Sequence, residues 1–150
     1  MAMGYGGPRN ARVGAFRSGL EDRNAKHMDK LGVPYDFEKF KIKYVIPERE
    51  ATYNPDFVLR NGIIIETKGI FETDDRKKHL LIREQYPTLD IRLVFSNSNS
   101  KIYKGSPTSY ADWCRKHDIQ FADKLIPVAW LKEARKEFPE GVLIPKKGGK

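Results

Sequence analysis

One hundred and fifty residues with a formal charge of +8 suffice for one ordinary domain with a real core. The excess of Lys and Arg favours a polyanionic partner, because such side chains gain by displacing counterions from phosphates. A single cysteine, Cys114, excludes an internal disulfide, and His27, His79 and His117 are too scattered to build a zinc cluster with it. No run reaches the ~18 apolar residues of a membrane helix and no apolar signal core is present, so the expected setting is a reducing cytoplasm without a membrane partner.

Residues 1–13 are rich in Gly and Arg, including Arg9 and Arg12, and have little to bury. They read as a basic arm, either contacting nucleic acid or inert. Ser18 to Leu31 carries helix signals: Ser18-x-x-Glu21 is a capping box, Leu20, Met28 and Leu31 share a side, and Gly32 with Pro34 ends the run. Glu21 thus has a purely structural reading as the partner of the helix-end N–H. Tyr35 to Ile46 is extended, with a one-residue shift of apolar parity at Phe40 and Ile42 that predicts a bulge or bend. Pro47 disfavours a central strand through that position, leaving Pro47 to Glu50 as a polar loop.

The stretch that organises the chain follows. Phe57-Val58-Leu59 and Ile63-Ile64-Ile65 are apolar runs separated by Arg60-Asn61-Gly62, a hairpin signal. An Asn61-Gly62 loop would oppose residue 57 to 66 and turn Asp56 away from Glu66. A loop of Arg60 to Gly62, with Gly62 left-handed, opposes 56 to 66 and sets Lys68 on the same side by strand alternation. The longer loop is therefore expected. Two converging carboxylates repel or neutralise one another unless a cation lies between them. Hard ions such as Mg²⁺ take one or two carboxylates together with water and phosphate oxygens. Asp56 and Glu66 are thus candidate metal ligands of a phosphodiester-cleaving site in which Lys68 orients or helps deprotonate the nucleophile. The alternative is an Asp in a turn and a surface Glu/Lys pair.

Asp74 to Tyr86 reads as a helix with acids at its start, Leu80, Leu81 and Ile82 inward, and Pro87 at its end. Arg76, Lys77 and Lys78 on its first turns suit either solvent or phosphate. Ile91 to Phe95 is a buried strand, so a crossover and a mixed sheet are expected. Lys101 to Lys104 suggests a brief edge strand, and Ser106-Pro107-Thr108 suggests the cap of a helix running to about His117. Ile119 to Ala122 reads as a last strand, Pro127 to Glu133 as a short helix, and 134–150 as a basic tail.

Pro55-Asp56, then Glu66-Thr67-Lys68, matches the PD-(D/E)xK nuclease signature, and more of the chain resembles one branch, the endonuclease I family of the T-odd phages. The resemblance is carried by Gly14 to Asp22, Asp74 to Gln85, Lys104 to Tyr110 and Phe121 to Pro127, and extends from about Gly14 to Lys132. It implies an α/β, restriction-endonuclease-like fold, a mixed central sheet flanked by helices, in residues 14–133. It also implies a homodimer whose subunits exchange N-terminal parts through a bridge at 44–53, so that Glu21 of one chain completes the other's site.

By the same resemblance, Asp56, Glu66 and the Thr67 backbone carbonyl would bind Mg²⁺, with Mn²⁺ substituting, and Glu21 would serve a second ion or position water. Catalytic roles then fall to Glu21, Asp56, Glu66 and Lys68, and DNA contacts to Arg9, Arg12, Arg17, Arg76, Lys77 and Lys104. The implied activity is resolution of four-way and other branched DNA junctions by paired cleavage leaving 5′ phosphates. Rival readings are a sequence-specific restriction-type nuclease and a basic nucleic-acid-binding module without chemistry.

Overall fold

The computed structural model describes residues 11–12 by their backbone and residues 18–146 in full. In chain order the elements are β1 (Ala11–Arg12), α1 (Gly19–Leu31), β2 (Tyr35–Phe37), β3 (Phe40–Ile46), β4 (Arg49–Tyr53), β5 (Phe57–Leu59), β6 (Ile63–Lys68), α2 (Thr73–Gln85), β7 (Asp90–Phe95), α3 (Tyr110–Lys116), β8 (Phe121–Asp123), α4 (Val128–Leu131) and β9 (Ile144–Pro145). The central sheet runs β1-β2-β5-β6-β7-β8, and a smaller antiparallel sheet runs β4-β3-β9. The fold is therefore mixed α/β. β2, β5 and β6 pair antiparallel, whereas β7 follows β6 in parallel through α2, and β8 follows β7 in parallel through α3.

The three-isoleucine strand is sandwiched between helices. Ile63 and Ile65 pack in one cluster with Leu20, Ala25 and Met28 of α1, while Ile64 packs in another with Ile82 of α2 and with Ile42, Tyr44 and Tyr53 of the smaller sheet. A strand buried on both faces has no polar alternation, which is why Ile63-Ile64-Ile65 reads as a continuous apolar run. At about 25 cal/mol per Å² of apolar surface, each of these side chains contributes roughly 1.5–3 kcal/mol by burial.

The β5–β6 turn settles the register. Phe57 pairs with Ile65 and Val58 with Ile64, so the ladder continues to Asp56 opposite Glu66 across the expected loop from Arg60 to Gly62. Gly62 has φ +96°, and its N–H donates to the Leu59 carbonyl at 3.2 Å. A Cβ at Gly62 would lie 2.4 Å from both Cγ and the carbonyl oxygen of Lys136. Glycine is needed there both for the left-handed backbone and for that close approach.

The Ser18 half of the expected cap starts α1: Ser18 Oγ accepts from the Glu21 N–H at 3.0 Å, and Gly32, at φ +71°, closes the other end. Asn24 fixes this helix in place. It donates to the Leu20 and Lys124 carbonyls and accepts from the Ile126 N–H, all within 2.7–2.9 Å.

Several boundaries differ from expectation. The parity shift after Tyr35 is a bend at Glu38 (φ +52°), where the chain leaves the central sheet and begins the smaller one. Pro47 and Glu48 form a tight turn, since Ile46 pairs with Arg49, and Arg49 and Glu50, expected in the loop, instead open the strand Arg49–Tyr53. Lys101 makes only an isolated bridge to Ser109, not a strand. The third helix starts at Tyr110 with Ser109 and Asp112 as a reciprocal capping box, three residues after the Ser106-Pro107-Thr108 signal. After Glu133 the chain still contributes to the fold, with Val142 buried and β9 paired to β3.

Candidate active site

Asp56 stands at the bend between β4 and β5, at the mouth of the hairpin. Its Oδ2 accepts both the Thr67 N–H and the Thr67 hydroxyl, each at 2.9 Å. Thr67 is two residues beyond Ile65 and so lies on the α1 side of β6 by alternation. There Asp56 meets two more acids. Carboxylate oxygens of Glu21, Glu38 and Asp56 lie within 4.8 Å of one another, and all three residues are buried. Glu38 also donates its backbone N–H to the Asp56 carbonyl at 3.0 Å.

Glu66 faces the α2 side. Its Oε1 accepts from the Tyr53 hydroxyl at 3.0 Å, and its Oε2 lies 3.9 Å from Lys68 Nζ. Lys68 in turn donates to Asp75 Oδ1 at 3.1 Å. Asp75 Oδ2 accepts the Glu72 N–H in the capping box that starts α2, so the helix start and the lysine share one carboxylate.

The electrostatics follow from burial. Desolvation, then the charge of Glu66, pushes Asp56 up to about 9 despite its bonds from Thr67. Burial raises Glu66 to about 7, with Lys68 and Lys78 opposing. Burial would lower Lys68, but Glu66 and Asp75 outweigh it and hold the amine in its charged form. Asp56 and Glu66, both at 6% exposure, therefore cost free energy as paired anions. The all-oxygen group of Glu21, Glu38 and Asp56, with oxygens within 4.8 Å of one another, fits a hard divalent cation, and Glu66 lies outside that group.

The residues expected from the sequence fall in two groups at this end of the sheet, Asp56 with Glu21 and Thr67 on the α1 side and Glu66 with Lys68 on the α2 side. The expectation that Asp56 shares a side with Glu66 and Lys68 is therefore corrected: Asp56 lies at a bend and turns to Thr67. Glu38 was missed. It sits two residues from Asp36 in a segment whose acids read as the polar half of an alternating strand, and only the bend at φ +52° directs it into the cluster. Tyr53 and Asp75 were also missed, since a lone tyrosine before Pro55 and an acid at a helix start have ordinary readings.

Among the expected DNA contacts, Arg76 is corrected: it is buried, donating to the Phe71 and Ile102 carbonyls and the Thr73 hydroxyl, and ties the loop before α2 to the helix. Lys77 and Lys104 are exposed. Arg9, Arg17 and the side chain of Arg12 lie outside the described residues. Cys114 is buried as a free thiol, and no helix among the described residues is long and apolar enough to cross a membrane.

Buried acids beside a lysine, on a strongly basic chain, define a hydrolase for a polyanionic backbone. The model of the family described as phage endonuclease I matches residues 1–150. The chain is 59% identical over 147 residues to Endonuclease I of Escherichia phage T7, covering 98% of each. To Endodeoxyribonuclease 1 of Enterobacteria phage T3 it is 63% identical over 136 residues, covering 91% of this chain and 90% of that one. The chain belongs to the phage endonuclease I family, a family of nucleic-acid hydrolases.

Proposed function

We propose that the protein is a divalent-metal-dependent endodeoxyribonuclease that cuts four-way and other branched DNA junctions in paired fashion. The observation that carries this reading is the buried group of Glu21, Glu38 and Asp56, with Asp56 raised by burial and by the charge of Glu66, in a protein of net charge +8. The name of the phage T3 relative supplies a DNA substrate class for that protein, and the charge supports the same partner here. Phosphate contacts give affinity without reading sequence, so selection among DNAs falls to shape.

Asp56 and Glu66, with the Thr67 carbonyl, would hold one cation, Mg²⁺ or Mn²⁺, and Glu21 with Glu38 would complete its surroundings or serve a second. When bound, a divalent cation supplies positive charge against the phosphate oxygens and makes water more acidic. Lys68, kept as an ammonium between Glu66 and Asp75, donates to a phosphate oxygen and steadies the incoming nucleophile rather than abstracting its proton. Thr67 fixes Asp56 from behind through both its N–H and its hydroxyl. Attack of water on phosphorus with fission of the P–O3′ bond leaves a 5′ phosphate, and the departing 3′ oxygen takes up a proton to become a 3′ hydroxyl.

The single chain brings Glu21 to its own Asp56. The reading we adopt is that in a homodimer the β3–β4 hairpin opens and serves as the bridge across 44–53, so that Glu21 and Glu38 of one subunit join Asp56, Glu66 and Lys68 of the other. Glu48 supports it. This residue is held at φ +78° in a tight turn without being glycine, and short strained hinge loops favour exchange. A dimer so built carries two sites at fixed separation, which suits a symmetric junction.

The test uses purified protein, a synthetic four-way junction and a linear duplex, with and without Mg²⁺ or Mn²⁺, beside Glu66→Ala and Lys68→Ala. Metal-dependent, symmetric cutting of the junction, lost in both variants while binding persists, is expected. Cutting of linear duplex at one defined sequence, or no cutting at all, defeats the reading. Exchange is tested by mixing Glu21→Ala and Asp56→Ala subunits: a swapped heterodimer regains one intact site, whereas an unswapped one regains none.

A further inference from the structure

Outside the acids and the lysine, a polar contact of Tyr53 joins the smaller sheet to the site. Tyr53 is the last residue of β4, and its side chain is 1% exposed. The ring lies within the cluster formed by Ile42, Tyr44, Ile64 and Ile82. His79 of α2 meets it edge-on, with centroids 5.3 Å apart at 74°, and Lys78 Nζ lies 5.4 Å from its centroid. With the ring fixed on these sides, the hydroxyl has one aim, the Glu66 Oε1 at 3.0 Å. That leaves Oε2 toward Lys68.

We infer that Tyr53 is a positioning residue that holds Glu66 in one orientation for cation binding and thereby couples the β3–β4 hairpin to the active site. The inference rests on the metal-dependent nuclease reading. A carboxylate on a flexible side chain must be ordered before it can serve a cation, and a rigid phenol hydroxyl orders it in advance. Hydrogen bonds to ionised groups are about twice as strong as neutral ones, and burial excludes water as a substitute partner. The connection also gives the hairpin a catalytic consequence. If β4 is displaced, Tyr53 moves with it and Glu66 loses its anchor.

The experiment compares the full-length protein with Tyr53→Phe, which keeps the ring and removes only the hydroxyl. Calorimetric titration with Mn²⁺ alone is expected to show about tenfold weaker binding, roughly 1.4 kcal/mol. Single-turnover junction cutting should need correspondingly more Mn²⁺ for half-maximal rate, yet return to within a few-fold of the unsubstituted rate at saturating metal. Junction affinity in EDTA should be unchanged. A purely packing role would not produce this split between metal dependence and maximal rate. Mn²⁺ binding unchanged in Tyr53→Phe overturns the inference.

A second measurement decides the matter if that variant fails to fold. With ¹³Cζ-tyrosine labelling, the Tyr53 resonance of the unsubstituted protein should shift on addition of Mg²⁺, and it should not shift in Glu66→Ala. The absence of any shift in the unsubstituted protein likewise overturns it. If the unsubstituted protein neither binds Mn²⁺ nor cuts DNA, the nuclease reading itself fails, a result distinct from either of these.

Discussion

Glu66→Gln should make the metal-free protein more stable while removing its activity. Glu66 is buried, and its carboxyl is raised from an ordinary 4.5 to about 7. Below pH 4.5 the group is protonated whether the chain is folded or not, so its ionisation makes no difference. Between 4.5 and 7 the unfolded chain releases the proton while the folded one keeps it, and stability falls as pH rises. Above 7 the full cost is present, at most about 3 kcal/mol for a displacement of this size.

Glutamine preserves the shape and the acceptor for Tyr53 but removes the charge. In EDTA at pH 8, thermal unfolding of Glu66→Gln should therefore occur as much as about 6–12 °C higher than for the unsubstituted protein, at about 2–4 °C per kcal/mol for a domain of this size. At pH 4.5 the difference should nearly vanish. Mg²⁺ should raise the melting temperature of the unsubstituted protein and leave the variant almost unmoved. A variant that is no more stable at pH 8, or that differs equally at both pH values, would refute the reasoning.

Further outcomes test other parts of the structure. Glu38→Gln, which removes one acid from the cluster with Glu21 and Asp56, should weaken Mn²⁺ binding several-fold by calorimetry and leave junction binding in EDTA intact. Gly62→Ala should cost about 2–3 kcal/mol in urea unfolding, since it combines a left-handed backbone with a collision against Lys136. Glu48→Gly relieves about 1 kcal/mol of backbone strain in the closed turn. Sedimentation should then show dimer dissociation favoured about fivefold per hinge. An unchanged or tighter dimer would argue against exchange through this turn.

The hairpin and its chemistry could be read from the chain because both depend on local rules. A strand alternates, a left-handed position selects Gly62, and a loop of fixed length opposes Asp56 to Glu66. The capping of α1 by Ser18 and the end of that helix at Gly32 are local in the same sense. What local rules could not supply is the direction of a side chain once the chain leaves a regular element. Asp56 stands opposite Glu66 by register, yet its carboxylate turns to Thr67 because it lies at a bend rather than within the ladder.

Arg76 shows the opposite error of a purely local reading. A basic residue near a helix start resembles a phosphate contact, but the Phe71 carbonyl just before the helix and the distant Ile102 carbonyl draw it inward. Arg92 is another buried cation, held by Asp90, two residues before it, at 2.7 Å and by Glu133 at 2.6 Å beneath the Trp130 ring, and nothing in its neighbourhood along the chain announces Glu133.

By itself, then, the sequence determined a basic protein with a hairpin bearing Asp56, Glu66 and Lys68, because spacing and turn chemistry act between near neighbours. Tertiary structure alone decided that Glu38 joins the acids, that Tyr53 holds Glu66 and that Asp75 holds Lys68. Those contacts close only when a bend, a second sheet and a helix start, separated along the chain, pack against one strand end.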